Sequence, residues 1–434
     1  MSDLALGYLS LPLLLGLIFL RLPIGLAMAA CGFFGLWVAT GSPDIALARL
    51  KSETYSTFSN YNLTVVPMFL LMGQLAALSG LSRSLFDGAA AFLGHRRGGL
   101  ALAAIGASAG FGAICGSSLA TAATMGRIAL PELRRQGYPG GLSTAVLAAG
   151  GTLGILIPPS VILVIYAMLT EANVGELFLA ALVPGLLAAV LYMGAARLSI
   201  RGGEGVLPRR SWAERLGALG GLWQVALLFV LVVGGIYGGL FTPTEAAAVG
   251  AIVTGIFALV SGRLTWAAVA DALRETAAVS AMIYLIVFGA GFYNGFLALA
   301  RLPQHLAEVV SGAGLAPLVI LALILLLYLL LGCVMDSLSM ILLTIPVFWP
   351  LLLQLDLGLD AGSLAIWFGI LTLSVVEIGL ITPPVGLNLF IINRLDPTVP
   401  LTATWRAMVP FLAADLARVA LLFALPVLSL FLIG

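Results

Sequence analysis

The chain is poor in charge. Only 9% of its 434 residues are Asp, Glu, Lys or Arg, against roughly 25% in an ordinary soluble protein. Lysine is almost missing. Lys51 stands alone with no Gly-rich segment leading into it, which excludes a P-loop and with it a primary pump. The only histidines, His95 and His305, fall near loop ends, so the apolar runs offer no His pair for a haem or quinone-type redox subunit. Gly106, Ser108 and Gly110 match G-x-S-x-G in form, but that motif needs a strand-to-helix elbow and a base, and neither is expected here. The three cysteines, Cys31, Cys115 and Cys333, are odd in number and all lie in apolar runs. They read as packing residues, not as a disulfide framework or metal site. With a net charge of +1, a nucleic-acid partner has no electrostatic footprint to use. The first apolar run lacks the basic flank and small-residue cleavage site of a signal peptide and is expected to be retained.

What is present is hydrophobicity, at 61% of residues, in long runs. A β-barrel would show short alternating segments instead, so the fold class is an all-α polytopic membrane protein. Runs of about 17–25 residues are candidate spans. They fall at 4–20, 22–41, 61–80, 141–170 and 177–196, then at 219–241, 244–260, 277–300, 363–393 and 408–432, about ten full spans in all. Two longer runs, 98–133 and 315–355, do not fit that pattern.

Short cytoplasmic loops collect Lys and Arg. The basic stretch 197–215, with Arg201, Arg209 and Arg210 inside it, is the only polar linker of any length, so 197–218 is placed in the cytoplasm. It divides the chain into 1–196 and 219–434 and puts both termini in the periplasm. The run 98–133 is basic at both ends, at Arg96 and Arg97 and at Arg134 and Arg135. Both ends then belong on one side, and the segment reads as a re-entrant hairpin with arms of about 17 residues, roughly 25 Å each. Its tip is Gly116, Ser117 and Ser118. The run 315–355 exits at Asp356 and Asp360 and centres on Cys333 and Asp336, and the span count places its ends on the opposite face.

The most informative stretch is Gly-Thr-Leu-Gly-Ile-Leu-Ile-Pro-Pro-Ser over 151–160. Two adjacent prolines remove two backbone donors and clash with the preceding turn, so the helix must break inside the membrane. Freed carbonyls are tolerated there only against protein or a water-filled cavity. A second double proline, Pro383 and Pro384, stands within 377–388. Pro23 matches Pro243, Cys115 matches Cys333, Pro131 matches Pro346 and Pro158 matches Pro383, at offsets of 220, 218, 215 and 225 residues. Each half reads span, span, span, hairpin, broken span, span. Five crossings per half is an odd number, so the two repeats are inverted, and paired breaks in inverted repeats mark the binding site of a secondary transporter.

At this point four motifs resemble one family. They are Phe-Thr-Pro-Thr-Glu-Ala-Ala-Ala from Phe241, Gly-Ser-Ser-Leu-Ala-Thr from Gly116, Ile-Pro-Pro-Ser from Ile157, and Glu-Ile-Gly-Leu-Ile-Thr-Pro-Pro-Val-Gly-Leu-Asn from Glu377. Together they are similar to the large membrane (M) subunit of tripartite ATP-independent periplasmic (TRAP) transporters, over essentially the whole chain. The resemblance implies an elevator-type member of the ion transporter superfamily that imports an organic anion, a carboxylate, with sodium (Na+) across the bacterial inner membrane. It also implies two partners, a small four-helix membrane (Q) subunit and a periplasmic substrate-binding (P) protein. The Q subunit is not expected to be fused, since no room precedes the first span. A stand-alone sodium- or proton-coupled carrier of similar design is the alternative.

Sodium takes hard oxygen ligands, as calcium does, and half-helix N-termini suit an anion. The expected sodium ligands are Ser117, Ser118, Gly151, Thr152, Asp336, Ser337 and Thr382. The expected substrate contacts are Thr121, Pro158, Pro159, Pro383, Pro384 and Asn388. Asp336 is assigned to sodium because a carboxylate near the bilayer centre is costly and a poor neighbour for an anion. Glu245 and Glu377 read equally as ligands or as structural hydrogen-bonding groups near a proline break with access to interface water. Arg127 either attracts a substrate carboxylate or snorkels. Gly106, Gly110, Gly112 and Gly116 read as small residues that let helices approach.

Overall fold

The computed structural model describes residues 2–200, 202, 206–312 and 314–433, and among these every regular element is helical. The first half holds α1 (Asp3–Phe19), α2 (Ile24–Thr40), α3 (Pro43–Phe58), α4 (Val65–Ser79), α5 (Leu81–Leu93), α6 (Gly99–Cys115), α7 (Ser118–Arg135), α8 (Gly140–Leu156), α9 (Val161–Thr170) and α10 (Val174–Ser199). The second half begins with α11 (Trp212–Gly220) and α12 (Trp223–Phe229), which passes through a π turn into α13 (Gly235–Tyr237). There follow α14 (Pro243–Val260), α15 (Trp266–Leu299), α16 (Leu302–Gly312), α17 (Pro317–Gly332), α18 (Ser337–Leu352), α19 (Ala361–Leu380), α20 (Leu387–Leu395), α21 (Leu401–Ala424) and α22 (Val427–Leu430).

Among the described residues, six helical stretches are long and apolar enough to cross a membrane, and eight if two bent pairs each count as one. The bent pairs are α8 with α9, at 42°, and α11 with the helix Trp223–Tyr237, at 46°. Helices α1 and α2 occupy two further expected spans but are only 17 residues each. Both expected hairpins resolve into two helices joined by a short turn at the expected tip, α6 with α7 and α17 with α18. Gly116 closes the first turn with φ 63°, a left-handed conformation that glycine adopts without steric cost.

Three helices lie where no apolar run exists or extend beyond one. In α3, Ser42 caps the first turn and Pro43 occupies its first position, while Arg49 and Glu53 pair at 3.1 Å on the side facing the helix Trp266–Leu299, where Arg49 donates to the Gly291 carbonyl at 3.3 Å. In α5, buried Leu81, Leu85 and Phe86 form one apolar face against α6. Helix α15 has 34 residues, roughly 51 Å at 1.5 Å per residue. The expected span 277–300 covers only its later part. The earlier turns carry Asp271, Arg274 and Glu275, which ended the apolar run without ending the helix.

Helices α8 and α19, which lead into the two double prolines, form the centre. In α19 every residue from 364 to 380 is buried. Its most apolar window is 94% buried, whereas that of the peripheral α21 is 28% buried. The hairpins flank these two, with α6 and α7 on α8 and α17 on α19. Helices of one half pack on helices of the other in matching pairs: α2 with α15 and α14 with α4, α7 with α20 and α18 with α9, α8 with α21 and α19 with α10.

The basic linker is not a free loop. Arg97 donates to the Ile200 carbonyl, and the Leu207 amide donates to the Gly94 carbonyl at 2.9 Å. From 212 it is helix α11, started by a capping box between Ser211 and Glu214. Arg215 is 5% exposed and lies over the rings of Trp212 and Phe92 at 5.1 and 5.9 Å. Nearby guanidinium groups and desolvation, the latter the larger cause, lower the His95 pKa. Arg201 of the expected linker lies outside the described residues.

Candidate functional site

In the first half the hairpin tip sits directly on the break. A Cβ on Gly116 would lie 2.9 Å from the Pro159 carbonyl oxygen, and one on Gly154 would lie 2.6 Å from Thr121 Oγ1 and 2.8 Å from the Ser117 carbonyl oxygen. Gly112 crosses Gly154 so closely that a Cβ on it would meet Gly154 Cα at 2.6 Å, and Gly151 meets Ala122 in the same way. Only hydrogen fits at these crossings, which is how apolar helices pack without a hydrophobic driving force between them. Ser117, Ser118, Thr121, Gly151, Pro158 and Pro159 are thus brought together around one tip, and all but Ser117 are buried. Thr152 points away from this tip. Its hydroxyl donates to the Ala149 carbonyl at 2.8 Å and lies 3.1 Å from the Tyr192 hydroxyl on α10.

The second half repeats the close crossing. A Cβ on Gly379 would meet the Gly332 carbonyl carbon at 2.4 Å. Gly154 and Gly379 each stand four residues before their double proline. Both Pro158–Pro159 and Pro383–Pro384 are cis. The surroundings differ, however. Pro383 and Pro384 are exposed and Thr382 is half-buried, with its hydroxyl turned back to the Ile378 carbonyl at 2.5 Å. Asn388 is fully buried in the first turn of α20, where its Nδ2 donates to the Ala148 carbonyl of α8 at 3.2 Å. Its Oδ1 has no hydrogen-bond partner among the described residues.

The helix starts at tips and breaks are not equivalent. Ser117 caps α7, accepting from the Ala120 amide at 3.4 Å, and Ser160 caps α9, accepting from the Leu163 amide at 3.4 Å. Asp336 caps α18, taking the Ser339 amide at 3.1 Å and the Ser339 hydroxyl at 2.5 Å. Asp336 is half-buried, so the helix dipole and these two donors support its charge locally. Only α20 starts without a side-chain cap, at Gly386 with φ 61°. Ser337 is buried in the first turn of α18.

Three residues outside these motifs are central. Arg418 on α21 is fully buried, with Nη2 2.9 Å from Glu377 Oε2 and 3.0 Å from Asp415 Oδ1. The Tyr192 hydroxyl donates to Asp415 Oδ2 at 2.5 Å. Glu377 is therefore 0% exposed in the core, away from the interface water that its place near a break suggested, and its Oε2 accepts from Arg418. The signal was in the sequence. An acid and a base three residues apart inside the run 408–432 share a helix face and are functional or structural by default in a membrane. Glu245, by contrast, closes a capping box with Thr242 at the start of α14, which accounts for its place in the Thr-Pro-Thr-Glu motif. Arg127 is exposed on α7, and Ser108 lies mid-helix in α6, facing Gly150.

Residues 11–428 match the family described as the DctM component of the tripartite ATP-independent periplasmic transporter. Among similar proteins is the C4-dicarboxylate TRAP transporter large permease protein DctM of Pseudomonas aeruginosa, 39% identical over 90% of both chains. The sialic acid TRAP transporter large permease protein SiaM of Vibrio cholerae is 32% identical over 96% of both. In fold, the chain is similar to the crystal structure of the Alcanivorax borkumensis YdaH transporter, with a TM-score of 0.62, 19% identity and 88% of each chain covered. The tip, break and capping motifs therefore belong to a permease, and the chain is a member of the DctM family of TRAP transporter large permeases.

Proposed function

We propose that this permease imports an organic anion across the bacterial inner membrane in symport with sodium, fed by a periplasmic binding protein and working with a small four-helix membrane subunit. The names of two relatives point to carboxylates, a C4-dicarboxylate and sialic acid. The observation that carries the reading is the start of α20. It is the one helix start at the tips and breaks that lacks a side-chain cap, it adjoins exposed Pro383 and Pro384, and it holds the free Oδ1 of Asn388. Orphan amides at a helix N-terminus attract carboxylate, and Asn388 orients it. Thr121, Pro158 and Pro159 are assigned to the substrate from the first half. Sodium takes the oxygen-rich tips, with Ser117, Ser118 and Gly151 on one side, Asp336, Ser337 and Thr382 on the other, and Thr152 behind the first.

The matching cross-half helix pairs and the two glycine crossings support inverted repeats at 1–196 and 219–434 with hairpins entering from opposite faces. Transport then follows an elevator movement of the hairpins and broken helices against α2, α4, α14 and α15. The cytoplasmic linker and periplasmic termini follow from the arginine distribution.

Uptake into proteoliposomes tests this, with labelled C4-dicarboxylate or sialic acid, imposed sodium or proton gradients, and the binding protein present or absent. Sodium dependence is expected, weakened by Ser118→Ala and by Asp336→Asn, while Asn388→Ala lowers substrate affinity and leaves sodium dependence intact. Uptake that persists without sodium and follows a proton gradient rejects the coupling. Uptake that needs no binding protein favours the stand-alone carrier.

A further inference from the structure

Thr152 stands six residues before Pro158, and Glu377 stands six before Pro383. They are joined by a continuous buried chain: Thr152 to Tyr192 at 3.1 Å, Tyr192 to Asp415 at 2.5 Å, Asp415 to Arg418 at 3.0 Å and Arg418 to Glu377 at 2.9 Å. Four helices, α8, α10, α21 and α19, contribute to it. Glu377, Asp415 and Arg418 are each 0–1% exposed.

Charge does not balance there. Two carboxylates face one guanidinium, and no other cation among the described residues reaches them. Helices α8, α9 and α17, which pack on α19, contain no Asp, Glu, Lys, Arg or His, and Tyr166 and Tyr328 on two of them bond elsewhere, to the Ala365 carbonyl and the Thr344 hydroxyl. Glu176 and Arg197 lie exposed at the ends of α10, Arg394 is exposed at the end of α20, and Asp336 is occupied as the cap of α18. An unpaired charge with no water around it is strongly disfavoured, and such a group neutralises itself by binding a proton. The contacts show which acid does so. Asp415 is met on both oxygens, Oδ2 accepting from the Tyr192 hydroxyl and Oδ1 in an ion pair with Arg418 at 3.0 Å that is not a hydrogen bond, whereas Glu377 is met on Oε2 alone, by Arg418, and its Oε1 has no partner among the described residues.

We propose that this cluster binds one proton from water, held on Glu377 Oε1, so that Asp415 and Arg418 form the ionised pair and the junction between the two broken helices is electrically neutral. Sodium does not fit in its place, because a guanidinium 2.9 Å from Glu377 repels a second cation and sodium needs several oxygen ligands. Charge and burial alone carry the proposal, so it stands or falls independently of the sodium-symport reading.

Infrared spectroscopy of the purified full chain in lipid discs at neutral pH tests it. The wild type should show the carbonyl band of a protonated carboxylic acid, shifted in heavy water and lost in Glu377→Gln. Glu245→Gln, on an exposed carboxylate, should leave the band unchanged. In Asp415→Asn, Glu377 becomes the only counter-ion of Arg418 and should release its proton, so the band disappears although Glu377 is still there. A cluster that only braces the helices predicts no such loss. Absence of an acid band in the wild type, its survival in Glu377→Gln or its survival in Asp415→Asn overturns the assignment. The wild-type spectrum remains decisive if a variant fails to fold.

Discussion

The two double-proline breaks carry nearly the same sequence signal and have different surroundings. Residues 157–160 are wholly buried, with the first hairpin tip seated on the Pro159 carbonyl and Ser160 capping the helix that follows. At the second break Pro383 and Pro384 are exposed, and α20 restarts at an uncapped glycine. Both breaks free backbone groups that must find partners. At the first, Ser160 takes the Leu163 amide. At the second, no side chain caps the helix start. A Pro-Pro pair therefore marks where a helix must break, but its neighbours decide whether the break is closed or open.

The shared part of the two units is the glycine crossing four residues upstream, and substitution there should have the largest effect. Gly379→Ala would push a methyl to 2.4 Å from the Gly332 carbonyl carbon, and Gly154→Ala would push one to 2.8 Å from the Ser117 carbonyl oxygen. Overpacking of this kind costs about 1–3 kcal/mol. Thermal unfolding of the detergent-solubilised permease should show both losses, the Gly379 variant losing at least as much. A Gly379→Ala protein as stable as wild type would mean that the second tip is free to shift, and the likeness between the halves would end at the sequence.

Much of this was legible beforehand, for a physical reason. Apolar run length and paired prolines report solvation and chain geometry, which act locally, so helices, both tips and both breaks fell where expected, although six to eight described stretches, not ten, are long and apolar enough to span. The misses are of another kind. Helix α5 is amphipathic, and its face of Leu81, Leu85 and Phe86 forms no apolar run, while α3 is polar and mostly exposed. Asp336 reads as a costly isolated acid until its neighbour Ser339 is seen to supply two donors. Glu377 could not be placed without Arg418, 41 residues away in sequence. Pairing across that distance is decided by packing, although the Asp415 and Arg418 spacing announces that some partner must exist.

A smaller effect separates the caps at the two breaks. Ser160 is buried and is the side-chain cap of α9, so Ser160→Ala should lower stability by about 1 kcal/mol. Thr382 is half-buried and only bonds back to the Ile378 carbonyl, a contact that adds little to a helix. Thr382→Ala should cost at most a few tenths of a kcal/mol. Equal losses in chemical or thermal denaturation would show that the second break is as closed as the first.

The mildest test changes no residue. Cys115 and Cys333 occupy the two tips at matching positions, and the structure buries the first to 5% exposure while leaving the second half-buried. Maleimide reacts with a thiol only as fast as that thiol is reached. Cys333 should therefore label several-fold faster than Cys115 in the folded permease, and mass spectrometry of the tip peptides reads both rates from one sample. Cys31, buried between α2 and its neighbours, serves as the slow internal reference. Substrate bound beside the uncapped start of α20 should slow labelling at Cys333 and leave Cys115 unchanged, because only the second tip adjoins the open break. If the two cysteines react at one rate, or if substrate protects them equally, the open and closed breaks exchange roles in solution, and the difference between them belongs to one position of a moving carrier.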